Sequence, residues 1–264
     1  MSSPTILNYH HIGDSSPSSL KYLGAEVSVI QFESYLEFLK RHYHLVPFSE
    51  LWEPGTPQGA VALTFDDGFM SVYDVVLPMI ERLEIPIKIF LNLDSIIHGY
   101  SWLTQVSCLA DCLSETEIPA VFSRQQYVLA FWKYFQWGVT PEVVASTYAD
   151  RVGNPPRRVF ITGDQARLLV RHPLVEVGSH SRRHFPLHKL PPDILWQEVV
   201  RHHYDLEAFL AHPIKGFAPP FGFVSHITES VADCIAEIDS RIILAQTKVP
   251  SHFGAMQQIG RHPM

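Results

Sequence analysis

Short apolar runs alternate with helical patterns along this chain, and that alternation restricts its fold more than any other feature. Residues Gly59 to Phe65 read Gly-Ala-Val-Ala-Leu-Thr-Phe, a short run best read as a buried strand. Val75 to Leu83 has helical spacing with Pro78 in its first turn, and Pro86 to Leu91 is the next strand. Strand, helix and strand in that order predict a parallel sheet, open or closed into a barrel. Pro4 to Tyr9 reads as a first strand. Ser28 with Gln31 starts a helix carrying Phe32, Tyr35, Leu36 and Leu39 on one face. Thr162 with Gln165 caps another helix, and a further one opens at Pro191 or Pro192 and runs to about Ala211. Leu174 to Gly178, Ile214 to Ala218 and Ile242 to Ala245 are the remaining strand candidates.

Residues 101–160 break this rhythm. They are aromatic and mostly helical in pattern, as in Val121 to Trp137, and read as an insertion over the sheet. At 264 residues and 46% apolar content, the chain is expected to form one α/β domain over residues 1–264.

Chemistry-bearing residues follow two of the strands. Asp66, Asp67 and Gly68 come directly after the 59–65 run. Asp-Asp-Gly is a good turn sequence in any protein, but active sites of parallel α/β folds gather beyond the carboxyl ends of strands. His180-Ser181-Arg182-Arg183-His184 follows the strand ending at Gly178. If that segment is helical, the two imidazoles share a face. The chain has 15 histidines, so a His pair alone says little. His188, one turn further on, reads as a non-ligand. One carboxylate and two neutral histidines can hold a divalent cation with a position open for water, and a spare carboxylate can take that water's proton.

Composition excludes other classes. Lys and Arg total 20 against 27 Asp and Glu, a formal charge of −7, which argues against a nucleic-acid ligand. No stretch approaches the roughly 18 apolar residues of a membrane span. The first residues lack a basic region followed by an apolar run, so a cytoplasmic, soluble protein is expected. Cys108, Cys112 and Cys234 do not form a disulfide framework, and the first two read as buried apolar residues.

Taken in order, Thr64-Phe65-Asp66-Asp67-Gly68 and His180-Ser181-Arg182-Arg183-His184 resemble the motifs of the polysaccharide deacetylases (carbohydrate esterase family 4, the NodB-homology domain). Ala218-Pro219-Pro220-Phe221-Gly222 is similar to the family's Arg-x-Pro-Tyr segment. Tyr9-His10-His11-Ile12 resembles the Tyr-His-x-Ile opening of a branch that includes poly-N-acetylglucosamine deacetylases.

The resemblance implies a distorted (β/α) barrel and a metal-dependent enzyme that removes an N-acetyl group from an amino sugar or glycan precursor. Asp67, His180 and His184 would bind one divalent ion, with zinc the first choice and cobalt, nickel, iron or manganese also suited to the donors. Asp66 would be the general base. The general acid would be His10 or, failing that, His262, since no Leu-x-His segment occurs near the C-terminus. Pro220 and Phe221 would form part of the substrate wall. Ala218 stands where relatives carry a base-orienting arginine, a part Arg261 could take. The alternatives are an O-acetyl esterase or cyclic-amide hydrolase of the same fold, and a non-catalytic metal- or carbohydrate-binding or scaffold protein in glycan assembly.

Overall fold

Six consecutive buried residues, Ala60–Phe65, form the central strand, as a run without polar alternation requires. The computed structural model describes residues 4–15, 17–23, 26–114, 141–238, 241–244, 257–260 and 262–263. Its strands are β1 (Thr5–Tyr9), β2 (His11–Ile12), β3 (Glu26–Val27), β4 (His44–Leu45), β5 (Ala60–Phe65), β6 (Ile87–Leu91), β7 (Val175–Ser179), β8 (Arg241–Leu244), β9 (Gln257–Gly260) and β10 (His262–Pro263). The main sheet runs β10-β1-β5-β6-β7, with β4 beside the start of β5, and every pairing is parallel. A parallel bridge from Ser179 to Phe217 extends it past β7. This is the α/β class expected, with a parallel sheet consistent with a distorted barrel.

The register sorts side chains into two faces. Tyr9, Phe65, Ile89 and Val177 lie in one row and belong to the main apolar cluster, which takes in Phe32 and Leu36, Ile80, and Leu206 and Leu210 from the surrounding helices. The preceding row, Asn8, Thr64, Lys88 and Glu176, therefore faces the opposite way, towards the side that Ile6, Ala60, Ala62 and Phe90 share with Phe48 and Leu51. Lys88 is buried there, with Nζ 3.9 Å from Glu176 Oε2 and 4.8 Å from the centre of the Phe48 ring.

The helices begin where their caps dictate. Ser28 accepts from Gln31 N to start Val29–His42. Thr162 and Gln165 cap Gly163–Leu169 reciprocally, and Ser101 and Thr104 do the same for Trp102–Cys112. Pro78 lies near the start of Leu77–Leu83, behind a π-turn over Val72–Val76, because its missing N–H interrupts the α-ladder at that point. Pro192–Trp196 passes through a second π-turn, Gln197–Arg201, into His202–Leu210 and ends at Ala211 with a positive φ.

Two expectations change. Ile214 to Ala218 forms a single bridge and no strand: it is bounded by prolines and hydrogen-bonds the β7 edge through Lys215 N to Val177 O and Ala218 N to Ser179 O. Cys108 is half-buried and Cys112 exposed, because the helix Trp102–Cys112 turns Trp102, Val106, Leu109 and Ala110 inward and Cys112 falls on its last, outer turn. Helix Pro141–Arg151 packs on Trp102–Cys112 through Val144 and Tyr148, but residues 115–140, including all of the expected helix at 121–137, lie outside the described residues. Among the described residues no helix is long and apolar enough to cross a membrane.

Candidate active site

The site forms where β5 and β7 end. Asp66 continues the pairing with β1 through its N–H to Tyr9 O at 3.0 Å. The chain then turns sharply, with positive φ at Asp67 (70°) and Gly68 (75°), so the two neighbouring carboxylates point in different directions. Both acids are buried.

His180 N donates to Leu91 O at the end of β6, at 3.0 Å. The Nδ1 of its ring lies 2.5 Å from the Ala218 carbonyl. A carbonyl only accepts, so Nδ1 carries a proton, and in the neutral ring Nε2 carries the lone pair. That lone pair faces Asp67 Oδ1 at 3.6 Å.

His184 reaches the same oxygen differently. Residues 180–184 form no helix; an irregular loop with positive φ at Ser181 (63°) and His184 (60°) folds the second imidazole back. Its Nε2 lies 3.5 Å from Asp67 Oδ1. The loop is fixed from several sides. Asn92 Nδ2 donates to the carbonyls of His180 and Ser181, and Trp102 Nε1 donates to His184 O at 3.2 Å. Arg183 donates through N and Nε to the fully buried Glu198, while Arg182 pairs with Asp94 and Asp205. The ring of His184 meets Phe221 edge-on, 4.9 Å between centres, and its Nδ1 is buried without a hydrogen-bond partner among the described residues. Packing, where His180 uses a hydrogen bond, sets this ring's orientation.

Burial pushes the His184 imidazole down to about 4, so the ring is neutral at pH 7. Asp67, His180 and His184 each offer a ligand atom within 4.8 Å of the others. With the His180 ring neutral, its Nε2 lone pair and the Asp67 carboxylate converge, and two imidazoles with one carboxylate suit a divalent ion. The donor set fits such an ion.

Asp66 lies beside this trio. Its Oδ2 is 4.0 Å from His180 Nε2 and 3.8 Å from His10 Nε2. His10 is about one-third exposed and stands at the open edge. Pro220 is buried; Phe221, half-buried with a φ of 63°, closes the side next to His184. His188 stacks on His226 at 3.9 Å, apart from the trio. His262 belongs to β10 beside Leu7, and Arg261 lies outside the described residues.

Three site residues escaped the sequence reading. Asn92 and Trp102 support the histidine loop from 82 to 89 positions away, and no local pattern marks them. Asn8 had a signal: a polar residue inside an apolar strand, two places before His10 and therefore on the same face. Its Nδ2 donates to Asp66 Oδ2 at 3.2 Å.

Residues 53–235 match the protein family described as polysaccharide deacetylase. No curated protein matches the chain. Among solved structures, IcaB from Ammonifex degensii is similar, with 19% identity, a TM-score of 0.65 and coverage of 100% of this chain and 92% of that one. The Streptococcus pyogenes deacetylase PplD, solved with acetate, has 15% identity, a TM-score of 0.63 and coverage of 98% and 91%. A de-N-acetylase from Aggregatibacter actinomycetemcomitans has 19% identity, a TM-score of 0.61 and coverage of 98% and 93%. At these identities the likeness shows a common fold.

Proposed function

The chain belongs to the polysaccharide deacetylase family, and on that premise we propose that it is a divalent-metal-dependent hydrolase removing the N-acetyl group from an amino sugar or glycan precursor. Asp67, His180 and His184 would hold the ion. Zinc suits a His2Asp donor set best, and cobalt, nickel, iron or manganese also accept it. When bound, such an ion polarises the amide carbonyl and acidifies water, to a pKa of about 7 in favourable zinc sites.

The remaining steps fall to the chain's own side chains. Asp66, outside the ligand set, takes the proton from the water that adds to the carbonyl carbon. His10 gives a proton to the nitrogen as the C–N bond breaks, so the products are acetate and a free amine. Its Nε2 stands 3.8 Å from Asp66 Oδ2, which supports that role. Pro220 and Phe221 would form part of the substrate wall, a role supported by the contact of the Phe221 ring with His184.

One observation carries the reading: the ligand atoms of Asp67, His180 and His184 converge within 4.8 Å, with a second buried carboxylate against them. The test is acetate release from N-acetylated and O-acetylated sugars, side by side, by protein stripped of metal and then reloaded. Release from the N-acetyl substrate should appear only on reloading, and Asp66→Asn should retain metal while losing nearly all turnover. Wild-type turnover in Asp66→Asn would remove it as the base. Preference for the O-acetyl substrate would make the protein an esterase, and metal binding with no release from either would make it a binding protein.

A further inference from the structure

We propose that Asn8 is the positioning residue for Asp66: a buried, neutral amide, held on its other side by Thr64, that sets the rotation of the carboxylate. The positioning stands on geometry alone; its consequence for turnover rests on the deacetylase reading above.

Asn8 is 3% exposed and sits among Thr5, Ile6, Leu7 and Tyr9 in β1. A primary amide in such a place costs a few kcal/mol unless its polar ends are bonded, roughly 1–3 kcal/mol on protein scales. Here both ends are. Thr64 Oγ1 donates to Asn8 Oδ1 at 2.8 Å, and Asn8 Nδ2 donates to Asp66 Oδ2 at 3.2 Å. The opposite amide orientation would set its oxygen against the carboxylate, which only accepts. Asp66 thereby fixes which way Asn8 faces, and Thr64, whose hydroxyl can donate or accept, completes the bonding of the amide.

The arrangement follows from strand geometry. Asn8 and Thr64 are register partners across β1 and β5. Each precedes a site residue by two places, Asn8 before His10 and Thr64 before Asp66, so all four share a face. The oxygen that Asn8 holds is also the one 3.8 Å from His10 and 4.0 Å from His180. Holding Oδ2 there aims the other carboxylate oxygen by default, since the group is planar.

The experiment uses the full chain with Asn8→Leu, which keeps volume but has no donor, together with Thr64→Val and Thr64→Ser. Crystal structures of each should show the Asp66 carboxylate rotated in Asn8→Leu and Thr64→Val and unmoved in Thr64→Ser; an unmoved carboxylate in Asn8→Leu overturns the proposal whether or not the protein turns over any substrate. If Asn8→Leu does not fold, Thr64→Val carries the same decision. With zinc-loaded protein and an N-acetylglucosamine oligomer, Asn8→Leu should lower kcat by about 10- to 100-fold, less than the roughly 10²–10⁴-fold contribution of a general base itself, and leave KM and metal content after dialysis unchanged. In an Asp66→Asn background the same substitution should cost nothing more, because it acts only through that carboxylate. An equal loss in both backgrounds overturns the proposal. Absence of acetate release from the wild-type protein counts against the deacetylase reading and leaves the structural comparison to decide the positioning.

Discussion

Gly178→Ala would push on the site from behind. Gly178 lies in β7, two residues before His180. A Cβ at this position would meet Gly216 O at 2.7 Å, Lys215 O at 2.8 Å and Phe90 Cε1 at 2.7 Å. Its φ is not in the left-handed region, so alanine meets no backbone strain and the whole effect is collision. The distances fall about 0.6 to 0.7 Å short of the 3.4 Å at which ordinary contact begins. Phe90 can turn aside, but two of the three obstacles are backbone oxygens. The 215–218 segment must therefore retreat from β7. It is joined there through Ser179 N to Gly216 O at 3.0 Å, and it carries the Ala218 carbonyl that pins the His180 ring.

Overpacking of this kind costs about 1–3 kcal/mol, which lowers the melting temperature of a chain of this size by roughly 3–10 °C. Loosening the partner that orients a ligand histidine should weaken metal binding about 10-fold or more. Thermal unfolding and a zinc titration of the same preparation would measure both. A Gly178→Ala protein with wild-type melting temperature and zinc affinity would refute the reasoning. Adding Phe90→Leu should restore little, since it clears the ring and not the backbone.

Other outcomes follow from the same geometry. His184→Ala should weaken metal affinity by roughly 100-fold, and metal content unchanged after dialysis would exclude His184 as a ligand. His10→Ala should slow cleavage of an amide more than that of an activated ester, whose leaving group needs no proton; equal slowing would exclude an acid role. His202 is buried, with Nε2 against Leu91 O at 3.2 Å, and burial pushes it down to about 3 from the ordinary 6.5. Between those values the unfolded chain binds a proton that the folded chain does not, so this contribution is whole above pH 6.5 and is lost as the pH falls. Urea unfolding at pH 6, 5.5 and 5 should show His202→Gln losing less stability than wild type by about 1.4 kcal/mol per pH unit; parallel slopes would count against it.

Much of this was legible in the sequence, for local reasons. β5 and β6 are buried on both faces, so each writes a largely apolar run, broken by Thr64 in one and Lys88 in the other. The caps at Ser28 and Thr162 are decided within four residues, and both were readable. The acids and imidazoles were readable as an inventory. Their geometry was not, because the loop at 180–184 depends on Trp102, Asn92 and Glu198, far off in the chain. Asn8 acquires its partners only when β1 and β5 pair in register, 56 and 58 positions apart. Ile214 to Ala218 misled because an apolar composition does not say how many edges a segment will find to pair with.

Asp67, Ser181, His184 and Phe221 all hold a backbone twist that glycine would adopt with less effort, at roughly 1 kcal/mol or more apiece. Heat tolerance and chemistry thus make opposite demands on the same few positions. A laboratory selection for hardier forms of this protein would drift towards glycine there, and would lose the carboxylate, the imidazole and the wall they form as it succeeded.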